Sequence, residues 1–136
     1  MAATLKLEIV TPSAKIFSED VEMVTLTGID GDMGIYPDHM PLMTQLVAGE
    51  VIARKNSSDI SLAVGDGFIQ VTKDRVAILT DMAVKASDID EAAVQQALQK
   101  AEARLSQKMS DEESATVEAS IVHATAQLKV KQRHKK

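Results

Sequence analysis

Residues 28–46 read Gly-Ile-Asp-Gly-Asp-Met-Gly-Ile-Tyr-Pro-Asp-His-Met-Pro-Leu-Met-Thr-Gln-Leu. Glycine admits positive φ, and proline fixes φ while removing a hydrogen-bond donor, so the backbone must turn repeatedly and a long helix is excluded. The stretch also carries six apolar residues that a linker in solvent would not need: Met33, Ile35, Met40, Leu42, Met43 and Leu46. The sequence therefore predicts a turning loop that is buried against a core.

Composition narrows the possible classes of protein. The chain has 136 residues, enough for one domain or for a compact domain with an appendage. It has no cysteine, which excludes a disulfide framework and cysteine-based zinc sites. No run approaches the roughly 20 apolar residues of a membrane helix, so we expect a soluble or peripheral protein without direct membrane insertion. Strand-like sequence begins at Leu5, and we expect neither a signal peptide nor a transit peptide.

Residues 1–85 are predicted to form an all-β domain. Apolar and polar residues alternate over 5–9 and 60–64, the period of two that buries one face of a sheet. Residues 76–79 are apolar throughout, which predicts a central strand with both faces covered. Turn-forming residues separate the runs, and residues 65–67 (Gly-Asp-Gly) are predicted to be a hairpin turn. Many short strands at such spacing indicate a β-sandwich.

Residues 86–136 change to a helical period and predict an α-helical antiparallel hairpin. Apolar residues recur at intervals of four and three in two groups: Val94, Leu98, Ala101 and Leu105, then Val117, Ile121, Ala124 and Leu128. We predict helices over 88–108 and 111–132. The break near Met109 is short enough to force the helices antiparallel.

Capping residues mark where each helix starts. Ser87 or Asp88 can cap the first helix, and Ser110 with Glu113 forms a capping box for the second. Between the helices the seam is rich in alanine, which buries little area at roughly 25 cal/mol per Å² of apolar surface. We therefore expect weak association, so that the hairpin can open without losing its helices.

The motif over residues 31–44 resembles the signature of the epsilon subunit of F-type ATP synthases, in which two Gly, a His and two Pro keep this spacing. Asp32 stands where the family usually has Glu, and Asp38 stands where it usually has the Gly before His39. Asp tolerates the left-handed backbone of a glycine better than most residues do.

The resemblance implies a fold and a role. It implies a sandwich of about ten short strands, and a rotor-stalk subunit that couples proton-driven rotation to ATP synthesis without an active site or cofactor of its own. It further implies that the sandwich binds the gamma subunit and the c-ring, and that the helices restrain ATP hydrolysis by extending to the alpha and beta subunits. The implied location is the cytoplasmic face of the bacterial inner membrane, or the thylakoid membrane for a plastid-encoded homologue.

Site residues follow from the same resemblance. In the family, the loop that holds Asp32 and His39 faces the c-ring, which makes both residues candidates for that contact. Basic residues of the helices are candidates for the alpha and beta contact of the extended hairpin: Lys100, Arg104, Lys108, Lys129, Lys131 and Arg133.

Some family members bind ATP on the folded hairpin through Ile/Leu-Asp-x-x-Arg-Ala, an arginine one heptad later and an acid just before. Ile89 and Asp90 match that motif, but its arginine falls on Ala93, the later arginine on Lys100 and the acid on Val84. Because a bidentate arginine is not replaced by alanine, this remnant predicts weak or no ATP binding.

Charge is divided unevenly along the chain. Residues 129–136 hold 5 of the 15 basic side chains and no acid, whereas residues 1–128 carry 10 basic and 20 acidic ones. An acidic body thus ends in a basic tail, which is either a solvated helix end favoured by the helix dipole or a docking surface for an acidic partner.

Two other classes of function stay open as alternatives. A nucleotide-sensing module is disfavoured by Ala93 and Val84, and a nucleic-acid adaptor is disfavoured by 2% aromatic residues and a net charge of −5. No catalytic or metal site is predicted, because His39 and His123 lack a nucleophile motif and the Asp30-Gly31-Asp32 segment lacks the ligands of a calcium loop.

Overall fold

The computed structural model describes residues 3–38 and 40–133, which form ten β-strands followed by two α-helices. The strands are β1 (Leu5–Val10), β2 (Lys15–Val21), β3 (Met23–Gly28), β4 (Gly31–Ile35), β5 (Leu42–Leu46), β6 (Gly49–Lys55), β7 (Ser58–Val64), β8 (Gly67–Val71), β9 (Arg75–Thr80) and β10 (Ala83–Lys85). The helices are α1 (Glu91–Arg104) and α2 (Asp111–Arg133).

The strands form one hydrogen-bonded sheet in the order β10-β7-β6-β3-β5-β8-β9-β1-β2, with β4 paired to β3. Neighbouring strands are antiparallel except β1 and β9, which run parallel. Fully buried residues from both halves of this order, such as Val24, Leu62 and Ile78, belong to one core cluster. The sheet therefore curls over itself into a sandwich close to a barrel, which confirms the predicted all-β fold of about ten strands.

Strand β9 shows where the sequence pattern was misleading. It lies between β8 and β1, as expected for a central strand, and Val76 and Ile78 are fully buried. Leu79, however, is 52% exposed, so the prediction that both faces are covered is wrong. Successive side chains point to opposite faces, and among residues 3–38 and 40–133 nothing covers the second face at Leu79.

The stretch over residues 28–46 contains β4 and β5 and is only partly buried. Ile35 and Leu46 lie in the core, whereas Met40 and Met43 are 79% and 69% exposed. The predicted burial is therefore wrong for these two methionines. Met43 lies between inward-facing positions of β5, and Met40 lies in the loop before that strand.

Helix α1 is shorter than predicted. Asp90 is its cap, because the carboxylate Oδ1 accepts a hydrogen bond from the backbone N–H of Ala93 at 3.1 Å. Residues 86–88 form a separate 3-10 turn, so the predicted caps at Ser87 and Asp88 are wrong and the helix begins at Glu91.

Helix α2 begins as the sequence predicts. The Ser110 hydroxyl accepts from the backbone N–H of Glu113 at 3.2 Å and donates to its carboxylate at 3.1 Å, which confirms Ser110 as the cap. Across the connection, Arg104 near the end of α1 contacts Glu113 at 3.3 Å. The two helices pack on one another as the predicted hairpin.

The hairpin rests on the sandwich through α2, which contacts β6 and β7. The apolar part of this contact is a small cluster in which Ala63, Ile89 and Val130 are buried, with three partly buried residues packed against them: Val84, Ala86 and Val94. Helix α1 has no buried residue, which agrees with the prediction that the side chains between the two helices are small and bury little area. Polar contacts must therefore carry a large share of the specificity of docking.

Candidate functional site

One side of the sandwich exposes large apolar residues, and we call it the outer face. Phe68 of β8 is paired directly with Leu79 of β9, and Met43 of β5 lies diagonally beside Phe68 on the same side of the sheet. These three side chains are 56%, 52% and 69% exposed, respectively. A cluster of exposed apolar side chains on adjacent strands is typical of a protein interface.

The outer face is not flat, because Phe68 stands between two hollows. One hollow, of about 410 Å³, is bordered by Phe68, Leu79 and Pro12. The other, of about 440 Å³, is bordered by Phe68, Ile29 and Val47. Such relief allows apolar side chains of a partner to insert on both sides of a central aromatic ring.

A charged cluster lies beside the outer face on strands β1, β2 and β9. The Glu8 carboxylate contacts Lys15 at 3.0 Å and Arg75 at 2.9 Å. The hydrogen bond from Lys15 and the positive charges of Lys15 and Arg75 lower the pKa of Glu8 below its ordinary value. This carboxylate therefore stays charged under conditions in which an isolated glutamate begins to protonate.

The two candidates for c-ring contact lie in or next to the turning stretch. Asp32 is exposed on β4, and its carboxylate accepts a hydrogen bond from the Thr27 hydroxyl at 2.8 Å. His39 lies outside the described residues. Asp38, just before it, has φ 66° and donates its N–H to the Lys73 carbonyl at 2.9 Å, so this aspartate does adopt the backbone of the family's glycine.

The basic end of α2 is not free in solvent. Lys131 donates to the Ala86 carbonyl at 3.3 Å, and the Arg133 guanidinium pairs with the Glu50 carboxylate of β6. Lys129 is exposed beside them. The residues predicted to reach a partner when the hairpin extends thus hold it against the sandwich when it is docked.

The docked tail also approaches the c-ring candidate on β4. A cavity of about 250 Å³ between sheet and helix is bordered by Asp32 and Glu50 on one side and by Lys129 and Arg133 on the other. The structure therefore brings Asp32 together with two of the predicted tail cations, which the sequence placed in separate sites.

The other basic candidates lie near the opposite end of the hairpin. Lys100 and Lys108 are exposed, and Arg104 is engaged by Glu113. Helix α2 has 23 residues. At 1.5 Å per residue, its length is about 35 Å, and most of that length separates these basic residues from the basic tail.

The two residues that match the ATP motif, Ile89 and Asp90, have structural roles in this chain. Ile89 is 5% exposed in the cluster between hairpin and sandwich, and Asp90 caps α1. Ala93 lies on the exposed side of the first helical turn. Among residues 3–38 and 40–133, no group of His, Asp or Glu is arranged to hold a metal ion.

Comparison with known proteins assigns the family. Residues 4–86 match the family described as "ATP synthase, Delta/Epsilon chain, beta-sandwich domain", and residues 87–132 match its long alpha-helix domain. The chain belongs to the ATP synthase epsilon chain family. An epsilon chain of Dehalococcoides mccartyi is 43% identical over 135 residues, which covers 98% of this chain and 96% of the relative. An epsilon chain of Desulforamulus reducens is 40% identical over 111 residues, 82% of this chain and 84% of the relative.

Solved structures agree with the epsilon-chain fold. A chain in the cryo-EM structure of the Euglena gracilis mitochondrial ATP synthase, with OSCP, F1 and c-ring, superimposes with a TM-score of 0.72 and 23% identity. The match covers 93% of this chain and 80% of that one. A central-stalk and c-ring structure from Tetrahymena thermophila gives 0.57 at 10% identity, covering 93% and 98%. Within the described part of the chain, no helix is long and apolar enough to cross a membrane.

Sequence reasoning missed the outer face. Phe68 and Leu79 stand at alternate positions of β8 and β9, out of phase with the buried Ile69 and Ile78. A large apolar residue at the polar phase of a strand was the signal that the sequence offered.

Proposed function

We propose that this chain is a non-catalytic subunit of the rotating central stalk, at the cytoplasmic face of the membrane, with no cofactor of its own. The sandwich binds the gamma subunit through the outer face and meets the c-ring at the end that carries Asp32 and His39. In this way it takes part in coupling proton-driven rotation to ATP synthesis.

The outer face is the observation that carries this proposal. Met43, Phe68 and Leu79 belong to strands β5, β8 and β9, whereas the hairpin packs on β6 and β7. The sandwich therefore has one side available for a permanent apolar interface while another side holds or releases the helices. A rotor subunit with a movable regulatory segment needs both.

We further propose that the hairpin restrains ATP hydrolysis by leaving the sandwich and extending toward the alpha and beta subunits. The docked contact supports this, since its apolar cluster is small and the contacts of His123 with Asp81 and of Arg133 with Glu50 each keep one partner more than half exposed. Lys131 and Arg133 then exchange their contacts on the sandwich for acidic partners.

A truncation separates the two roles. Residues 1–85 are expected to fold, to co-purify with the gamma subunit and to support assembly, because the core cluster draws only on residues within that segment. The complex reconstituted with this fragment is expected to hydrolyse ATP faster than the complex with the full chain. An unfolded fragment, or an unchanged hydrolysis rate, contradicts the respective half of the proposal.

The outer face is tested by charge insertion. Phe68→Asp in the full chain is expected to weaken gamma binding by at least about 2 kcal/mol, the effect typical of a central aromatic anchor. Val122→Asp is the matched control, since Val122 is a 42% exposed apolar residue on α2. Equal loss of binding in both variants rules out the outer face as the gamma site.

A further inference from the structure

A histidine on the hairpin contacts a turn of the sandwich. His123 lies in the middle of α2, and its Nε2 is 3.0 Å from Oδ2 of Asp81, in the turn between β9 and β10. The His123 side chain is 25% exposed in this position. The contact lies away from the tail pairs, so it fixes α2 at a second point along its length.

The turn that carries Asp81 is braced by its neighbour, the turn between β7 and β8. Gly65 donates its N–H to the Met82 carbonyl at 2.9 Å, and the Thr80 hydroxyl lies 3.0 Å from the Asp66 carbonyl. Asp66 in turn accepts from the N–H of Ala48 at 2.9 Å. The carboxylate that meets the helix is thus presented from a hydrogen-bonded corner of the sheet.

Gly65 leaves the space that the contact occupies. A Cβ atom at this position would lie 2.1 Å from Oδ1 of Asp81 and 3.1 Å from Nε2 of His123. Any side chain at position 65 therefore displaces the carboxylate from the histidine. By contrast, a Cβ at Gly49 would meet its nearest neighbour, the Val47 carbonyl, at an ordinary 3.9 Å.

We infer that His123, Asp81 and Gly65 form a latch that holds the hairpin in its docked position. The two polar side chains supply the contact, and the glycine keeps the site open for them. The latch deepens the regulatory role proposed above and rests on it for its consequence, because a weaker latch gives more of the extended hairpin.

The test measures hairpin position in the isolated full chain. The native chain has no cysteine, so spin labels are placed on cysteines introduced at the exposed positions Ser58 of β7 and Ala119 of α2, and their distance distribution is recorded by pulsed EPR. His123→Ala is expected to raise the ratio of undocked to docked hairpin about two- to fivefold, the effect of losing one partly exposed polar contact. Val122→Ala on the same helix is the control and should leave the ratio unchanged.

Gly65→Ala tests the same latch from the sandwich. It is expected to shift the ratio as His123→Ala does, and the double variant should shift it no further, because both changes remove one contact. Gly49→Ala should have no effect. An unchanged ratio in His123→Ala, or an equal shift in Gly49→Ala, overturns the inference. Since ATP hydrolysis is not measured, failure of the latch is distinguishable from failure of the proposed restraint.

Discussion

The sandwich and the hairpin are stabilised in different ways. Nearly every strand contributes fully buried side chains to one cluster, among them Leu7, Val51, Leu62 and Ile78. Helix α1 has no buried residue, and the apolar contact between hairpin and sandwich is a small cluster in which Ala63, Ile89 and Val130 are buried. A few polar contacts accompany it. The sandwich thus owes its structure to an extensive buried core, whereas the position of the hairpin depends on a small apolar cluster and a few polar contacts.

The sharpest test of this difference uses the same substitution in both regions. Ile78→Ala empties a fully buried position and is expected to lower the free energy of unfolding of the sandwich by about 2–5 kcal/mol. Ile121→Ala removes the same atoms from a half-buried position of α2 and should change the stability of the sandwich by less than about 0.5 kcal/mol.

Urea unfolding followed by NMR signals of the strands measures both values. Equal losses in the two variants would mean that hairpin and sandwich unfold as one unit, which contradicts the difference described above.

The sequence pattern predicts the strands of the sandwich better than it predicts which of their side chains are exposed. Alternation over residues 5–9 and 60–64 reflects burial directly, so the strands could be predicted. The exposure of Met43 and Leu79 was missed, because apolar character alone does not distinguish a residue that faces the core from one that faces outward. Only its phase along the strand does. The expectation of burial failed at the outer face for that reason.

The docked hairpin shows a second limit. The helices and the Ser110 cap follow from local periodicity and local hydrogen bonds, which are written in adjacent residues. The pairs of His123 with Asp81 and of Arg133 with Glu50 join residues far apart in the chain, and a single sequence gives no register for them. A docking surface for an acidic partner was one of the two predictions for the basic tail, but the acidic residue that it contacts within the chain was not predicted.

Removing the cap of α2 is expected to have a smaller effect on stability, confined to the hairpin. Ser110→Ala removes the acceptor for the Glu113 N–H and is expected to destabilise the helix start by about 1 kcal/mol. Hydrogen exchange of amides in the first two turns of α2 should accelerate accordingly, while exchange of the strand amides stays unchanged. Faster exchange in the strands as well would show that the hairpin supports the sandwich.

The smallest effect concerns charge rather than packing, and it depends on pH. Glu8 has its pKa lowered by Lys15 and Arg75, so it contributes stability above the ordinary glutamate pKa of about 4.3, and that contribution is lost as pH falls through the lower, folded-state value. Glu8→Gln should therefore lower the urea midpoint at about pH 7, and the difference from the native chain should vanish at a pH below the folded-state pKa of Glu8, where both side chains are neutral. The hairpin supplies the matched control, Glu118→Gln, at an exposed position of α2. Glu118→Gln should leave the midpoint of the sandwich unchanged at both pH values. A difference for Glu8→Gln that persists at low pH would assign the loss to packing between β1, β2 and β9, and the charged cluster would then add nothing to the stability of the sandwich.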